Sequence, residues 1–343
     1  MLFSTTALVS EHRFGDSFYY LKRQSFAALI GVVLLIIVSK ISPTRIRKIS
    51  PFGLIISLVL LLLLYIPGVG MSAGGARRWL NLGFMTFQPV ELVKVLFVLF
   101  ISGYFARQEN KLQGFFKGVL QPVLYFVLLA FFLLMQPDFG SSFILGVITL
   151  VLCFSAGSKI SHLLLSGFTL AMIALPLIIT SPYRMKRILA FMAPTEDAQG
   201  KGYQLIQSLI AVSGGGFSGA GLGASQQKLH FLPAAHTDFA FAVICEELGF
   251  IGGAAIVFVF SFLFYRGMRL AAKTINDTFL FCSTIGLTLL ITIPAFFNMG
   301  VVIGLLPTKG LALPFISYGG SSIVVSLFIV GIILSISRTV KNA

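Results

Sequence analysis

The sequence predicts an all-α polytopic membrane protein, and three observations carry that prediction. Of 343 residues, 57% are hydrophobic and only 10% are charged, with 35 phenylalanines and a mean hydropathy of +0.97, a composition that soluble globular domains do not show. The apolar residues gather in nine runs, each long enough to cross a bilayer once tilt and interfacial residues are allowed. The longest polar connection, 182–237, is itself rich in Gly and apolar residues, so no soluble domain interrupts the chain. Residues 1–343 therefore read as one integral membrane domain, with 182–237 as a large loop within it.

In chain order the runs lie at roughly 24–41, 51–67, 90–106, 118–136, 140–157, 160–181, 239–265, 278–300 and 320–337. The opening "MLFSTTALVS" is apolar but too short to span, and it lacks the basic leader and cleavage site of a secretory signal. It reads as a re-entrant end or as a first helix missing its beginning, which brings the expected total to about ten.

Charge excludes one class of partner. The net charge is +14, yet the basic residues are scattered in short clusters between apolar runs rather than gathered on one face. That pattern argues against nucleic acid and for anionic headgroups or a phosphate-bearing lipid. Cys153, Cys245 and Cys282 all fall inside apolar runs without metal-ligand spacing, and read as small core residues.

Lys and Arg in the connections set the expected orientation. One set of connections holds thirteen; the other holds twelve, of which five lie in 182–237. A long loop has little leverage on topology, so the comparison becomes thirteen against seven. The C-terminus is expected in the cytoplasm and the 182–237 loop outside, and the unusual polar segments then share the outer face.

Glu91 and Lys94 in "QPVELVK" are three residues apart on a helix and face one side. The pair is either glue between helices or the lining of a polar cavity in which Lys94 meets a pyrophosphate. Arg77, Arg78 and Trp79 suit phosphate recognition, but an interfacial Arg-Arg-Trp also serves as an anchor. Asp138 in "QPDFGSS" is expected to cap the helix that follows. Arg184, Lys186 and Arg187 occupy the external loop, whose glycine-rich stretch "SGGGFSGAGLGASQQK" permits tight turns without forming a P-loop.

Asp238, in "LPAAHTDFAFAVICEELGF", is the sharpest candidate. It stands at the outer boundary beside His236 and Thr237, directly before an apolar helix, where partial desolvation raises a carboxylate toward the range of a general base. The alternative is a helix N-cap. Glu246 and Glu247, about 12 Å deeper by helix rise, point in different directions, and one of them is expected to be buried against a basic or hydroxyl partner for structure.

Read together, these segments resemble the SEDS family (shape, elongation, division and sporulation), the FtsW/RodA/SpoVE proteins that polymerise peptidoglycan. "NMGVVIGLLPTKGLALPFISYGGSS", residues 298–322, matches the family's diagnostic pattern along its length, and "GARRW", "FQPVELVK", "QPDFG", "GYQLIQSLIAVSGGG", "GLGASQQK" and "HTDFAFAVICEELG" follow in the family's order. "GLGASQQK" and "LPTKGL" are closer to the FtsW/SpoVE branch than to RodA. Ala234 and Ala198, the latter after Glu196 and Asp197, depart from the residues usual there.

The resemblance implies ten helices, with "MLFSTTALVS" as the outer half of the first. It also implies transglycosylation of lipid II, the undecaprenyl-pyrophosphate disaccharide-pentapeptide, at the outer face of the bacterial cytoplasmic membrane during cell division. In that reading Asp238 takes the proton of the acceptor's sugar 4-hydroxyl, and Arg77, Arg78, Lys94, Arg184 and Arg187 steady the departing pyrophosphate. Trp79, Glu91, Gln207, Lys228, His236, Thr237, Ser317, Tyr318, Gly319 and Gly320 complete the candidate substrate contacts. No cofactor is required by the sequence; a divalent cation, Mg or Mn, is compatible with the chemistry, although no ligand cluster is visible. The expected partners are a class B penicillin-binding transpeptidase and other division proteins. A lipid II flippase and a non-catalytic division scaffold are the alternatives.

Overall fold

The computed structural model of the protein describes residues 2–342 except 74, 75, 82, 84, 85, 196–199, 229–231 and 234, and describes only the backbone of 8, 73, 201 and 342. Glu196, Asp197, Ala198 and Ala234 lie outside the described residues. The helices are α1 (Leu2–Phe14), α2 (Tyr19–Lys40), α3 (Pro43–Ile49), α4 (Gly53–Leu63), α5 (Pro89–Arg107), α6 (Gln121–Met135), α7 (Phe139–Ser155), α8 (Ile160–Ile179), α9 (Pro182–Met192), α10 (Lys201–Gly214), α11 (Ala240–Lys273), α12 (Thr278–Val302) and α13 (Gly320–Asn342). Among the described residues eight stretches are long and apolar enough to cross a membrane, α3 and α4 counting as one, and the 17-residue α7 is a shorter apolar helix. The nine runs read from the sequence all appear, and the protein is a multi-pass membrane protein. The 13-residue α1 is too short to span.

Two features were not legible as hydropathy. Residues 182–237 hold α9 and α10, and a small antiparallel sheet, β1 (Gly70–Ala73), β2 (Ala76–Asn81) and β3 (Thr86–Phe87), precedes α5. Trp79 lies on β2 opposite Met71.

The chain forms two compact units. Unit 2 comprises 28–170, 264–291 and 320–343. Its centre is α5, apolar on every side and buried through most of its length, as a helix surrounded by other helices must be. Small residues allow close approach: a Cβ on Gly53 would meet Leu96 O at 2.6 Å, and one on Gly286 would meet Val98 at 2.5 Å. In a bilayer such contacts replace the hydrophobic drive that lipid cannot supply. By contrast Leu164, Leu165 and Phe168 of α8 are exposed, the surface expected of a helix facing lipid.

Unit 1 comprises 1–27, 171–263 and 292–319. Its defining feature is a break in α11 at Gly249, where φ is 65° and ψ is −161°. The freed carbonyls of Glu246 and Glu247 accept hydrogen bonds from Ala220 N (3.0 Å) and Gly221 N (3.1 Å), while Phe250 N donates to Gly216 O (2.9 Å) and Ile251 N to Phe217 O (3.3 Å). The glycine-rich loop thus repairs the helix it interrupts, as backbone at membrane depth requires. Only glycine fits here, because a Cβ on Gly219 would lie 2.2 Å from Glu247 O.

Candidate active site

Asp238 stands just before α11, in a segment held by its backbone. Asn298, 1% exposed near the end of α12, donates from Nδ2 to Asp238 O (2.7 Å) and to Leu311 O (2.6 Å). Ser317 Oγ donates to Thr237 O and accepts from Leu313 N (2.9 Å), and Tyr318 N donates to His236 O (2.9 Å). The "HTD" triplet and the 308–319 segment are therefore stitched together. Phe315, within that segment, holds a left-handed φ of 66°, a conformation that persists in a non-glycine residue only where its surroundings fix it.

The Asp238 carboxylate itself is left to its environment. Oδ2 lies against Gly310, where a Cβ would come within 2.8 Å. Burial pushes its pKa above the ordinary carboxylate range, and the Arg187 charge pulls the other way without prevailing. Among the described residues no hydrogen bond contributes to that balance. The N-cap alternative is therefore not the arrangement observed.

Arg187 of α9 supplies the nearby positive charge. Its Nη1 donates to Thr308 O (3.3 Å), its guanidinium lies 4.7 Å from the Tyr183 ring centre, and among the described residues its buried Nε has no hydrogen-bond partner. The cation is anchored at one corner with a donor still unused. Arg184 donates to Leu177 O at 2.6 Å. Gln207 lies part-buried on α10.

Several sequence candidates have structural partners. Lys228 Nζ pairs with Glu247 Oε1 (2.9 Å) and donates to Gly223 O and to Ser4 Oγ, and Ser4 donates to the same carboxylate. Glu246 accepts from Ser225 Oγ and from Gln226 N. Both glutamates thus have the basic or hydroxyl partners expected of one. In unit 2, Lys94 pairs with Glu91 at 2.9 Å with side chains 9% and 21% exposed. Arg78 donates to Gln136 O (2.8 Å) and Pro137 O (2.9 Å), tying β2 to the start of α7, while Arg77 is exposed. Asp138 caps α7 as expected, accepting from Ser141 N and Oγ. Gly320 opens α13.

Unit 1 accordingly brings together Arg187, His236, Thr237, Asp238, Ser317, Tyr318 and Gly319. The sequence reading did not single out Asn298, Gly310, Arg13, Tyr19, Tyr20 or Arg23. Among the described residues no three His, Cys, Asp or Glu side chains form a group able to hold a metal, and the charge acting on Asp238 is that of Arg187. The described residues here do not fit a protein-built divalent-ion cage, and no step below passes through one.

A family model described as "Cell cycle protein" and named FTSW_RODA_SPOVE matches residues 1–342. The chain belongs to the FtsW/RodA/SpoVE family. The chain is 41% identical over 343 residues to the probable peptidoglycan glycosyltransferase FtsW of Trichlorobacter lovleyi, covering 100% of this chain and 90% of the relative. It is 39% identical to the stage V sporulation protein E of Bacillus subtilis, covering 98% and 92% respectively. Among solved structures, the one described as "Structural coordination of polymerization and crosslinking by a peptidoglycan synthase complex" superposes with a TM-score of 0.80 at 29% identity, covering 100% of this chain and 97% of that one. The rod shape determining protein RodA of Thermus thermophilus gives 0.67 at 26% identity, with 98% and 93% covered. The FtsW/RodA/SpoVE fold thus extends over the whole chain, including the segments around Asp238.

Proposed function

We propose that the protein is a peptidoglycan glycosyltransferase that joins lipid II units at the outer face of the bacterial cytoplasmic membrane during cell division. The observation that carries this reading is the state of Asp238: a part-buried carboxyl of raised pKa, fixed by its backbone and, among the described residues, without a hydrogen bond of its own and near a cation with an unused donor. A carboxylate in that state is a stronger base than one in water. The names of the relatives and the polymerising complex among the structural neighbours support the same reaction.

In the proposed reaction the sugar 4-hydroxyl of an acceptor lipid II loses its proton to Asp238. Its oxygen forms a bond to the anomeric carbon of the donor glycan, and the bond from that carbon to the pyrophosphate oxygen breaks. The electron pair leaves on undecaprenyl pyrophosphate, whose growing negative charge Arg187 stabilises. The lipid tails remain in the membrane throughout. The Lys and Arg distribution supports an external site and a cytoplasmic C-terminus. The synthase complex supports a class B penicillin-binding transpeptidase as partner.

The break in α11 favours a second reading, a lipid II flippase, because discontinuous helices characterise transporters. Reconstitution separates the two. With labelled lipid II supplied outside, with and without the transpeptidase, the polymerase reading expects glycan chains from wild type and none from Asp238→Ala. Translocation without polymer would instead establish the flippase, and equal polymer from both proteins would remove Asp238 as the base.

A further inference from the structure

The proposed reaction joins two molecules that each carry a pyrophosphate. The leaving pyrophosphate is attached to the carbon under attack, so it lies close to the base, where Arg187 stands. The acceptor's own pyrophosphate is at the opposite end of its disaccharide from the attacking hydroxyl. A complete site therefore needs a second cationic place, a disaccharide's length from Asp238.

Unit 1 contains a cationic place joined to the "HTD" triplet by a series of rings. Arg13 closes α1 and Arg23 lies in the first turns of α2. The turn between these helices is fixed by Ser10 Oγ donating to Asp16 O and by Asp16 accepting from Phe18 N (2.9 Å). Lys22 is engaged by Asp16 at 2.8 Å. Arg13 and Arg23 are both exposed, and neither takes part in an ion pair among the described residues.

Between these arginines and Asp238 runs a series of rings. Arg23 lies 5.1 Å from the Tyr19 ring centre, Tyr19 meets Tyr20 edge-on at 5.7 Å, and Tyr20 stacks on His236 at 5.9 Å and meets Tyr318 at 4.7 Å. His236 is two residues from Asp238. Gln24 fixes this wall to α2, accepting from Gly319 N (3.1 Å) and donating to Ser317 O (3.4 Å). Burial, helped by the Arg13 charge, lowers the His236 pKa and so favours the uncharged imidazole. An aromatic wall ending in guanidinium groups suits a sugar that ends in pyrophosphate, the rings facing the pyranose C–H surface and the arginines chelating phosphate oxygens.

We propose that Arg13 and Arg23, with the wall of Tyr19, Tyr20, His236 and Tyr318, bind the pyrophosphoryl disaccharide of the acceptor substrate. This assignment rests on the polymerase reading, since it names the second substrate of that reaction.

The test uses the full chain in nanodiscs, with its transpeptidase for turnover measurements. Arg13→Gln/Arg23→Gln is expected to raise the KM for lipid II at least about tenfold, the loss of charge-assisted contacts, outweighing any fall in kcat. Binding of short-chain lipid II to an otherwise inactive Asp238→Asn protein should weaken by a similar factor. Arg13→Lys/Arg23→Lys should recover part of both, and Tyr19→Leu, which keeps the charges, should raise KM less. Unchanged KM and binding in protein that melts like wild type would overturn the assignment. So would displacement of lipid II by excess phosphatidylglycerol, which would mark a site for any anionic headgroup. If wild type makes no polymer, or Asp238→Asn does, the polymerase reading fails instead; weakened lipid II binding in the Gln variant would still support a pyrophosphoryl-sugar site.

Discussion

Asp138 and Asp238 each stand at the start of an apolar helix, one in each compact unit, yet their carboxylates are in opposite states. Asp138 accepts from Ser141 N and Oγ, so its charge is satisfied by the helix it begins. Among the described residues Asp238 has no hydrogen bond supporting its charged form; it lies against the Gly310 backbone and carries a raised pKa from burial. A helix start is thus a place where a carboxylate can be pacified or left reactive, and the backbone clamp from Asn298 permits the second outcome by fixing position without touching the side chain.

The largest expected effect is on catalysis. Asp238→Asn keeps the shape and removes the base, so polymerisation should fall by about 10²–10⁴-fold, whereas Asp138→Asn should leave turnover of the folded protein within about twofold of wild type. Equal losses at the two positions in a lipid II polymerisation assay would erase the contrast.

Next comes the network beneath Asp238. Lys228→Met strands Glu247, whose side chain is 0% exposed, and an uncompensated buried charge costs about 3–5 kcal/mol. Thermal unfolding in detergent should show that loss, and Lys228→Met/Glu247→Leu should recover most of it. A single variant as stable as wild type would mean that the ion pair is not structural.

Asp138→Ala should cost about 1 kcal/mol through the lost cap, read from the same unfolding transition. The smallest effect has the opposite sign. Because the folded pKa of Asp238 is raised, its contribution to stability is full below the unfolded pKa and lost as pH rises through the folded value. At neutral pH Asp238→Asn should therefore melt at or slightly above wild type, and a clearly lowered transition would show that the ionised carboxylate stabilises the fold.

Hydropathy made the nine long runs legible because a spanning helix must be apolar over its length, whatever surrounds it. Asp238 was legible because a carboxylate at the edge of such a run is conspicuous, and Asp138 because Ser141 follows at capping distance. Arg187 was named only as one of five cations for the pyrophosphate, and Asn298 and Gly310 were not singled out, since they reach Asp238 across 60 and 72 residues of sequence. The closing motif contained Asn298 and Gly310 without marking which atoms they would meet. The sheet at 70–87 and helices α9 and α10 escaped because short half-buried elements leave no long hydrophobic period. Glu246 and Glu247 became intelligible only once the α11 break showed a loop arriving with Ser225 and Lys228.

The central claim is that the Asp238 carboxylate takes the acceptor's proton, and the pH dependence of lipid II polymerisation tests it most directly. Wild type should lose turnover on acidification along a limb whose midpoint lies above the ordinary aspartate value of 3.8, and the residual rate of Asp238→Asn should show no such limb. The same acid limb in both proteins, or turnover by Asp238→Asn close to wild type, would contradict the account.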